Sequence, residues 1–414
     1  MDIPKIRFKG FDSKWAKPTI ENVFHLRNGY TPSKTEKRFW EGGTIPWFRM
    51  EDIRENGGIL SDAIQHITPL GVKGVGLFEK NSIILATTAT IGVHAMLIAD
   101  SLANQRFTNF SIRKSLSDKY DSTFVYYSFF GIDEWSKRNV NSGGLLSVNM
   151  PSLIQQPFYT PSLSEQRIIA TYFTSLDSLI QATEKKIASL KQVKKASLHA
   201  MFPVEGETIP RVRFKGYVGD WKNIIVGDIG ITFSGLSGKS KSDFGIGDAR
   251  YITFLNVLNN AQIDVNILEP VNVLSGENQN CVKVGDLFFN TSSETPSEVG
   301  MCSVLTTEVQ NVYLNSFCFG FRLSDNNICP EYISYLMRGP IGRKIMSVLA
   351  QGATRFNLSK NNFLKTSIPC PTDITEQRKI ANYFSALDKQ ISAHTKRLEK
   401  LRQIKSSCLD AMFV

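Results

Sequence analysis

Between positions 169 and 201 the chain steps alternately by four and three through Ile169, Phe173, Leu176, Ile180, Thr183, Ile187, Leu190, Lys194, Ser197 and Met201. The same stripe returns 211 residues later as Ile380, Phe384, Leu387, Ile391, His394, Leu398, Leu401, Lys405, Cys408 and Met412. A 4-3 stripe sustained this long predicts a long helix presenting a coiled-coil seam, rather than a helix packed on a globular core. Ser162-x-x-Glu165 and Asp373-x-x-Glu376 read as capping signals at the two starts, and Pro203 closes the first helix. Elsewhere the pattern changes to short β-branched and aromatic runs, such as 82–86, 250–254 and 286–289, punctuated by Gly, Asn and Ser. Those runs predict mixed α/β units.

The stripes are part of a larger internal repeat. Pro4-Lys-Ile-Arg-Phe-Lys-Gly10 recurs as Pro210-Arg-Val-Arg-Phe-Lys-Gly216, and Trp15 recurs as Trp221. Leu163-Ser-Glu-Gln-Arg167 recurs as Ile374-Thr-Glu-Gln-Arg378. Ala170, Tyr172, Asp177 and Phe202 meet Ala381, Tyr383, Asp388 and Phe413. Between these anchors the copies diverge, although Gly29 aligns with Gly235, Asp52-Ile53 with Asn256-Val257, Thr87 with Thr291 and Asn104 with Asn315. Each copy is a variable head followed by a retained tail. The organisation expected is head one at 1–162, a long helix at 163–202, a linker at 203–209, head two at 210–372 and a second long helix at 373–414.

Connectivity constrains the arrangement. A helix over 164–202 is about 58 Å long, whereas the linker reaches at most about 25 Å. The second head is therefore expected to start near the far end of the first helix, with its own helix returning antiparallel. The fold class predicted is an α/β (α+β) tandem repeat, with two heads on an antiparallel pair of helices related by a pseudo-two-fold axis.

Charge modifies this picture. The net charge is +10, which favours an acidic partner such as nucleic acid. The helices carry most of the excess: 164–202 has six basic and three acidic residues, and 375–413 has eight and four. The six cysteines all lie in the second half without a C-x-x-C pair, which points to free thiols rather than a disulfide framework or a zinc cage. The five histidines have no metal-ligand spacing. The charged start of the chain, and the polar residues within the uncharged run 81–99, predict a cytoplasmic protein without a membrane span.

This order of variable head and retained helix, written twice, resembles the specificity (S) subunits of type I restriction–modification systems. The resemblance covers essentially the whole chain. It is carried by Ser164-Glu-Gln-Arg-Ile and Thr375-Glu-Gln-Arg-Lys, by Phe8-Lys-Gly10 with Trp15 and Phe214-Lys-Gly216 with Trp221, and by Thr90-Ile-Gly92. The second head departs from the last of these, reading Thr291-Ser-Ser-Glu-Thr-Pro-Ser-Glu-Val-Gly300, which suggests a different base preference. The resemblance implies a non-catalytic DNA reader in which each head recognises one half of a split, asymmetric site. It implies that the helices set the spacing and recruit two modification subunits, with restriction subunits joining that complex. S-adenosylmethionine, ATP and magnesium would act in those partners, with no cofactor and no metal bound by this chain. The alternative is a stand-alone, tandem-headed sequence-specific DNA-binding regulator, distinguished by binding its site without modification subunits.

Catalytic motifs do not compete well with that reading. Gly235-Leu-Ser-Gly-Lys239-Ser240 ends like a phosphate-binding loop, but Phe233 occupies the place of its first glycine. Glu184-Lys-Lys186 lies in a heptad helix, where solvated charge is the expected role. No Asn-Pro-Pro-aromatic methyltransferase motif occurs. Direct readout uses Arg or Lys for guanine, Asn or Gln for adenine, and Ser or Thr as adaptable donors. On that basis the expected DNA-binding residues of the first head are Asn28, Tyr30, Thr31, Ser33, Lys34, Arg49, Thr87, Thr88 and Thr90. Those of the second are Ser237, Lys239, Lys241, Asn256, Asn259, Ser292, Glu294 and Thr295.

Overall fold

The structure, a computed structural model, describes residues 3–141, 146–352 and 354–413. They form two compact units, one of residues 1–184 with 396–414 and one of residues 185–395. None of the helices among the described residues is long and apolar enough to cross a membrane.

In the first unit a five-stranded sheet runs Phe24–Asn28, Phe107–Ile112, Ser82–Ala86, His94–Leu97 and Ile59–Leu60. Its pairs are antiparallel except the last, which is parallel. Successive strand residues face opposite sides, and Ser82–Ala86 is buried on both. Ile83 and Leu85 join a core with Phe24, Phe110 and helix Ser122–Arg138, while Ile84 and Ala86 join another with Trp47, Phe48 and Leu97. A smaller sheet places Ile45–Phe48 antiparallel to His66–Ile67 and parallel to Leu102–Ala103.

The second unit repeats this plan. Its main sheet runs Gly230–Ser234, Cys318–Leu323, Leu287–Asn290 and Cys302–Val304. Leu287 and Phe289 face one core and Phe288 the other. Phe244–Ile252 lies antiparallel to Glu269–Val271 and parallel to Val312–Leu314. One local difference is instructive. Where the first unit has the single helix Ser122–Arg138, the second has Pro330–Arg338 and Pro340–Leu349. Pro340 has no N–H to continue the ladder, so the chain restarts there.

The repeated sequence motifs are explained by buried polar contacts. Arg7 donates Nε and Nη2 to the two carboxylate oxygens of Glu165 at 2.7 and 2.8 Å, and Arg213 does the same to Glu376 at 2.6 and 2.8 Å. Both glutamate side chains are only 1% exposed. The neighbouring glutamines tie their heads to the helix starts. Gln166 accepts from the Asp121 N–H and donates to the Lys119 and Pro161 carbonyls; Gln377 accepts from the Cys329 N–H and donates to those of Asn327 and Pro371. The expected capping boxes are thus only half present. Ser162 Oγ accepts from the Glu165 N–H, but the carboxylate is spent on Arg7. Gly10 and Gly216, at φ 94° and 101°, both adopt the left-handed conformation that glycine tolerates.

The long helices are Leu163–Ala200 and Ile374–Met412. Within the first unit Tyr172, Asp177 and Glu184 meet Cys408, Lys405 and Arg402, so the two helical segments run antiparallel there. Within the second unit Lys194 and Ser197 meet Asp388 and Tyr383 in the same sense. The polar seam positions have a defined use. Lys405 pairs with Asp177 at 2.6 Å while Asp177 accepts from the Tyr127 hydroxyl at 2.8 Å. Lys194, Asp388 and Tyr335 repeat this set at 2.5 and 3.0 Å. Contrary to a pure coiled-coil seam, both ends of each stripe lie in globular cores. Ile169, Phe173 and Met412 belong to the first, and Leu190, Met201, Phe202, Ile380 and Phe384 to the second.

Candidate nucleic-acid interface

Turn chemistry gathers several loops at one edge of each main sheet. In the first unit the Gly29 N–H donates to Phe107 O and the Tyr30 N–H to Ala103 O, while the Thr87 N–H donates to Arg106 O. The Ala89 and Val148 N–H groups join Thr87–Gly92 to the chain around Leu146. A Cβ on Gly29 would come within 2.2 Å of Asn104 O, so only glycine allows this approach. Asn104 Oδ1 accepts the Arg106 N–H two residues on, an Asx-type turn that leaves Gln105 and Arg106 exposed.

The second unit builds the same edge with other side chains. A Cβ on Gly235 would come within 2.0 Å of Asn315 O, and Asn315 Oδ1 accepts the Phe317 N–H. The tip here is Ser316 and Phe317, with Phe317 58% exposed. Thr291 donates both its N–H and its hydroxyl to Phe317 O, and the Leu358 N–H donates to Thr291 O. The longer 291–300 loop rests on helix Pro340–Leu349, where Arg343 donates to the Val299 and Gly300 carbonyls.

The expected base-reading residues divide by accessibility. Asn28, Ser33 and Lys34 are exposed in the first unit, with Thr31, Arg49, Thr88 and Thr90 half-buried. Thr31 donates to Gln105 Oε1 at 2.5 Å, and Arg49 lies over the Trp47 ring at 5.9 Å. Arg49 is also next to Phe48, whose carbonyl accepts the Asn104 N–H. Tyr30 is a brace: its hydroxyl accepts the Lys73 N–H and donates to Gly71 O. In the second unit Ser237, Lys241, Asn259, Glu294 and Thr295 are exposed.

Four of the expected residues are held inside the fold. Asn256 is 0% exposed and spends its amide on the Asp264 N–H and C=O, fixing the loop after helix Phe254–Asn259. Thr87 is buried against Thr108, and Ser292 is buried in the ladder with Asn357. The Lys239 side chain is 6% exposed and bound to Glu277 at 2.6 Å, an ammonium partner that helps hold the Glu277 carboxyl down to about 2. In this fold the polar groups of these four side chains are turned to protein partners. Residues absent from the sequence expectation are Gln105, Arg106, Ser316 and Phe317. The signal for them was the aligned pair Asn104 and Asn315, whose turns present the residues that follow.

Comparison with known proteins decides the family. The family model for the type I restriction modification DNA specificity domain matches residues 12–192 and again 219–403. The chain belongs to that family. Its two matched stretches take in the two loop edges and most of both long helices. The specificity subunit of type I restriction enzyme EcoprrI of Escherichia coli is 48% identical over 141 residues, 34% of this chain and 35% of that protein. That of EcoBI, also of Escherichia coli, is 20% identical over 418 residues, covering 94% and 84%. The first of these alignments spans about a third of the relative's length. In fold the chain is similar to the type I restriction–modification S subunit of M. genitalium, with a TM-score of 0.60 at 15% identity over 100% and 99% of the chains. A chain from a study of complex assembly and conformational transition of the type I system gives 0.56 at 14% identity, over 98% and 99%.

Proposed function

We propose that this chain is the DNA-recognition subunit of a type I restriction–modification complex, each unit reading one half of a bipartite, asymmetric site. The observation that carries this is the pair of matched loop edges with unlike tips. Gln105-Arg106 offers hydrogen-bond donors suited to base edges, whereas Ser316-Phe317 offers a hydroxyl and an apolar ring suited to a thymine methyl group. The same scaffold with different readers predicts two different half-sites. Membership of the specificity family supports a role without chemistry of its own. On this reading the helices set the spacing and dock two modification subunits, which methylate adenine with S-adenosylmethionine. Restriction subunits using ATP and magnesium complete the assembly.

Genome-wide mapping of methylated adenines tests this, with the chain co-expressed beside its modification subunit. Two unlike half-sites separated by a fixed spacer are expected. A contiguous or palindromic motif would refute the assignment of one half-site to each unit.

A further inference from the structure

The first unit contains a cavity of about 780 Å³ whose lining includes Gly57, Gly58, His94, Tyr126, Phe130 and Asp133. The second unit shows what the same place in the fold accepts. Asp121 and Cys329 both give their N–H to the buried helix-start glutamine, and Tyr127 and Tyr335 both donate to the helix aspartate. Phe130 therefore stands where Arg338 stands. The strand registers likewise match His94, opposite Leu85, with Cys302, opposite Phe289.

In the second unit that position is filled by a guanidinium. Arg338 donates Nε to Cys302 O at 2.5 Å and Nη2 to the carbonyls of Val257, Leu258 and Asn260 at 2.6, 3.1 and 2.7 Å. These last three carbonyls lie at the end of helix Phe254–Asn259, where backbone acceptors lack intrahelical partners and the dipole favours a cation. In the first unit the matching helix, Met50–Asn56, ends at the cavity in Gly57-Gly58, which have no side chains to fill it.

The polar groups facing this cavity are incompletely satisfied. The His94 side chain, 2% exposed, pairs through Nδ1 with Asp133 Oδ2 at 2.6 Å. His94 Nε2 and Asp133 Oδ1 have no hydrogen-bond partner among the described residues, and the Asp133 side chain is only 10% exposed. Lys137 and Arg138 at the rim are met by Glu134, at 2.7 and 3.8 Å. Asp410 adds a further carboxylate to the lining, and Tyr126 and Phe130 add aromatic rings. A buried carboxylate oxygen, a helix C-terminus and aromatic faces together suit a planar cation.

We propose that this cavity binds a guanidinium group, with Asp133 as its carboxylate partner and the end of helix Met50–Asn56 as its second acceptor. The group is either a free alkylguanidine or an arginine side chain of another polypeptide. The test uses the full chain carrying ¹³C at histidine Cε1, titrated with n-butylguanidine, with a capped Gly-Arg-Gly peptide, and with the neutral urea analogue of each. Guanidinium ligands should shift the His94 resonance, leave those of His25, His66, His199 and His394 in place, and bind about tenfold or more tightly than their neutral analogues. Asp133→Asn should remove that preference. Response to n-butylguanidine alone identifies a free alkylguanidine, and response to the peptide as well identifies an arginine side chain. An unmoved His94, or equal response to charged and neutral ligands, overturns the proposal. Should Asp133→Asn fail to fold, the ligand ranking on the unaltered chain still decides.

Discussion

The two units share a frame and differ at the points the frame presents. Arg7–Glu165 and Arg213–Glu376, Gln166 and Gln377, and the two lysine–aspartate–tyrosine sets agree in partner and nearly in distance. At the loop edge the agreement stops at the backbone. Asn104 and Asn315 make the same turn, then hand the surface to Arg106 in one unit and Phe317 in the other. Interactions that hold a head on its helix are thus separated from residues free to change what the head meets. A protein built this way can change one edge without unsettling the frame.

The frame is the place to break the comparison hardest. Arg7→Ala or Arg213→Ala leaves a buried glutamate unpaired, so each should cost about 3–5 kcal/mol in urea unfolding. Similar losses are expected in the two units, and a large inequality would show that their frames are not energetic equals. Next come the close approaches of glycine to backbone. Gly29→Ala and Gly235→Ala should each cost about 1–3 kcal/mol, because the Asn104 and Asn315 carbonyls must be displaced.

Substitutions at the tips should sharpen the comparison without disturbing stability. Arg106→Ala should weaken discrimination at one half-site by about 1–3 kcal/mol for each base it ceases to read, and Phe317→Ala should act only on the other. Methylation mapping of each variant checks this, and Arg49→Ala should likewise alter only the first half. If either tip variant altered both halves equally, the division of labour would fail.

Smaller effects follow from titration. Burial pushes the Cys302, Cys318, Cys329 and Cys370 thiols up to about 12, while Cys281 is exposed. Iodoacetamide in mildly alkaline, native conditions should therefore label Cys281 and spare those four, as read by peptide mass spectrometry. Glu277, held near 2 chiefly by its hydrogen bond from Lys239, should keep this tie above its ordinary carboxylate range and lose it as pH falls through about 2. A carboxyl-carbon NMR titration of Glu277 gives that midpoint directly.

Much of the frame was legible in the sequence because it depends on periodicity and repetition. The 4-3 stripe located both long helices, and the +211 offset located Lys194 with Lys405 and Asp177 with Asp388. Periodicity reports that a face is covered, however, not what covers it, so the placement of Phe173, Phe384 and Met412 in globular cores was not visible. Glu165 and Glu376 carried a capping spacing, yet their partners lie 158 and 163 residues away and outweigh the local alternative. The edge was harder to read for a related reason. Asn and Thr serve turns as readily as base edges, and only burial separates Asn256, satisfied inside its loop, from Asn259, exposed at a helix end.

The cores of the heads also govern when each can form. Met412 lies in the first unit's core with Phe413 packed against it, so that unit needs residues made long after its strands. At about 5–20 residues per second, the 211 residues between Met201 and Met412 take the ribosome roughly ten to forty seconds. During that interval the first unit waits with Trp15, Phe124 and Phe173 short of the ring of Phe413. The second unit waits far less, because Met201 and Phe202 emerge before its strands and Ile380, Phe384 and Leu387 soon after the last of them, Ser367–Cys370. The half translated first is therefore the half finished last.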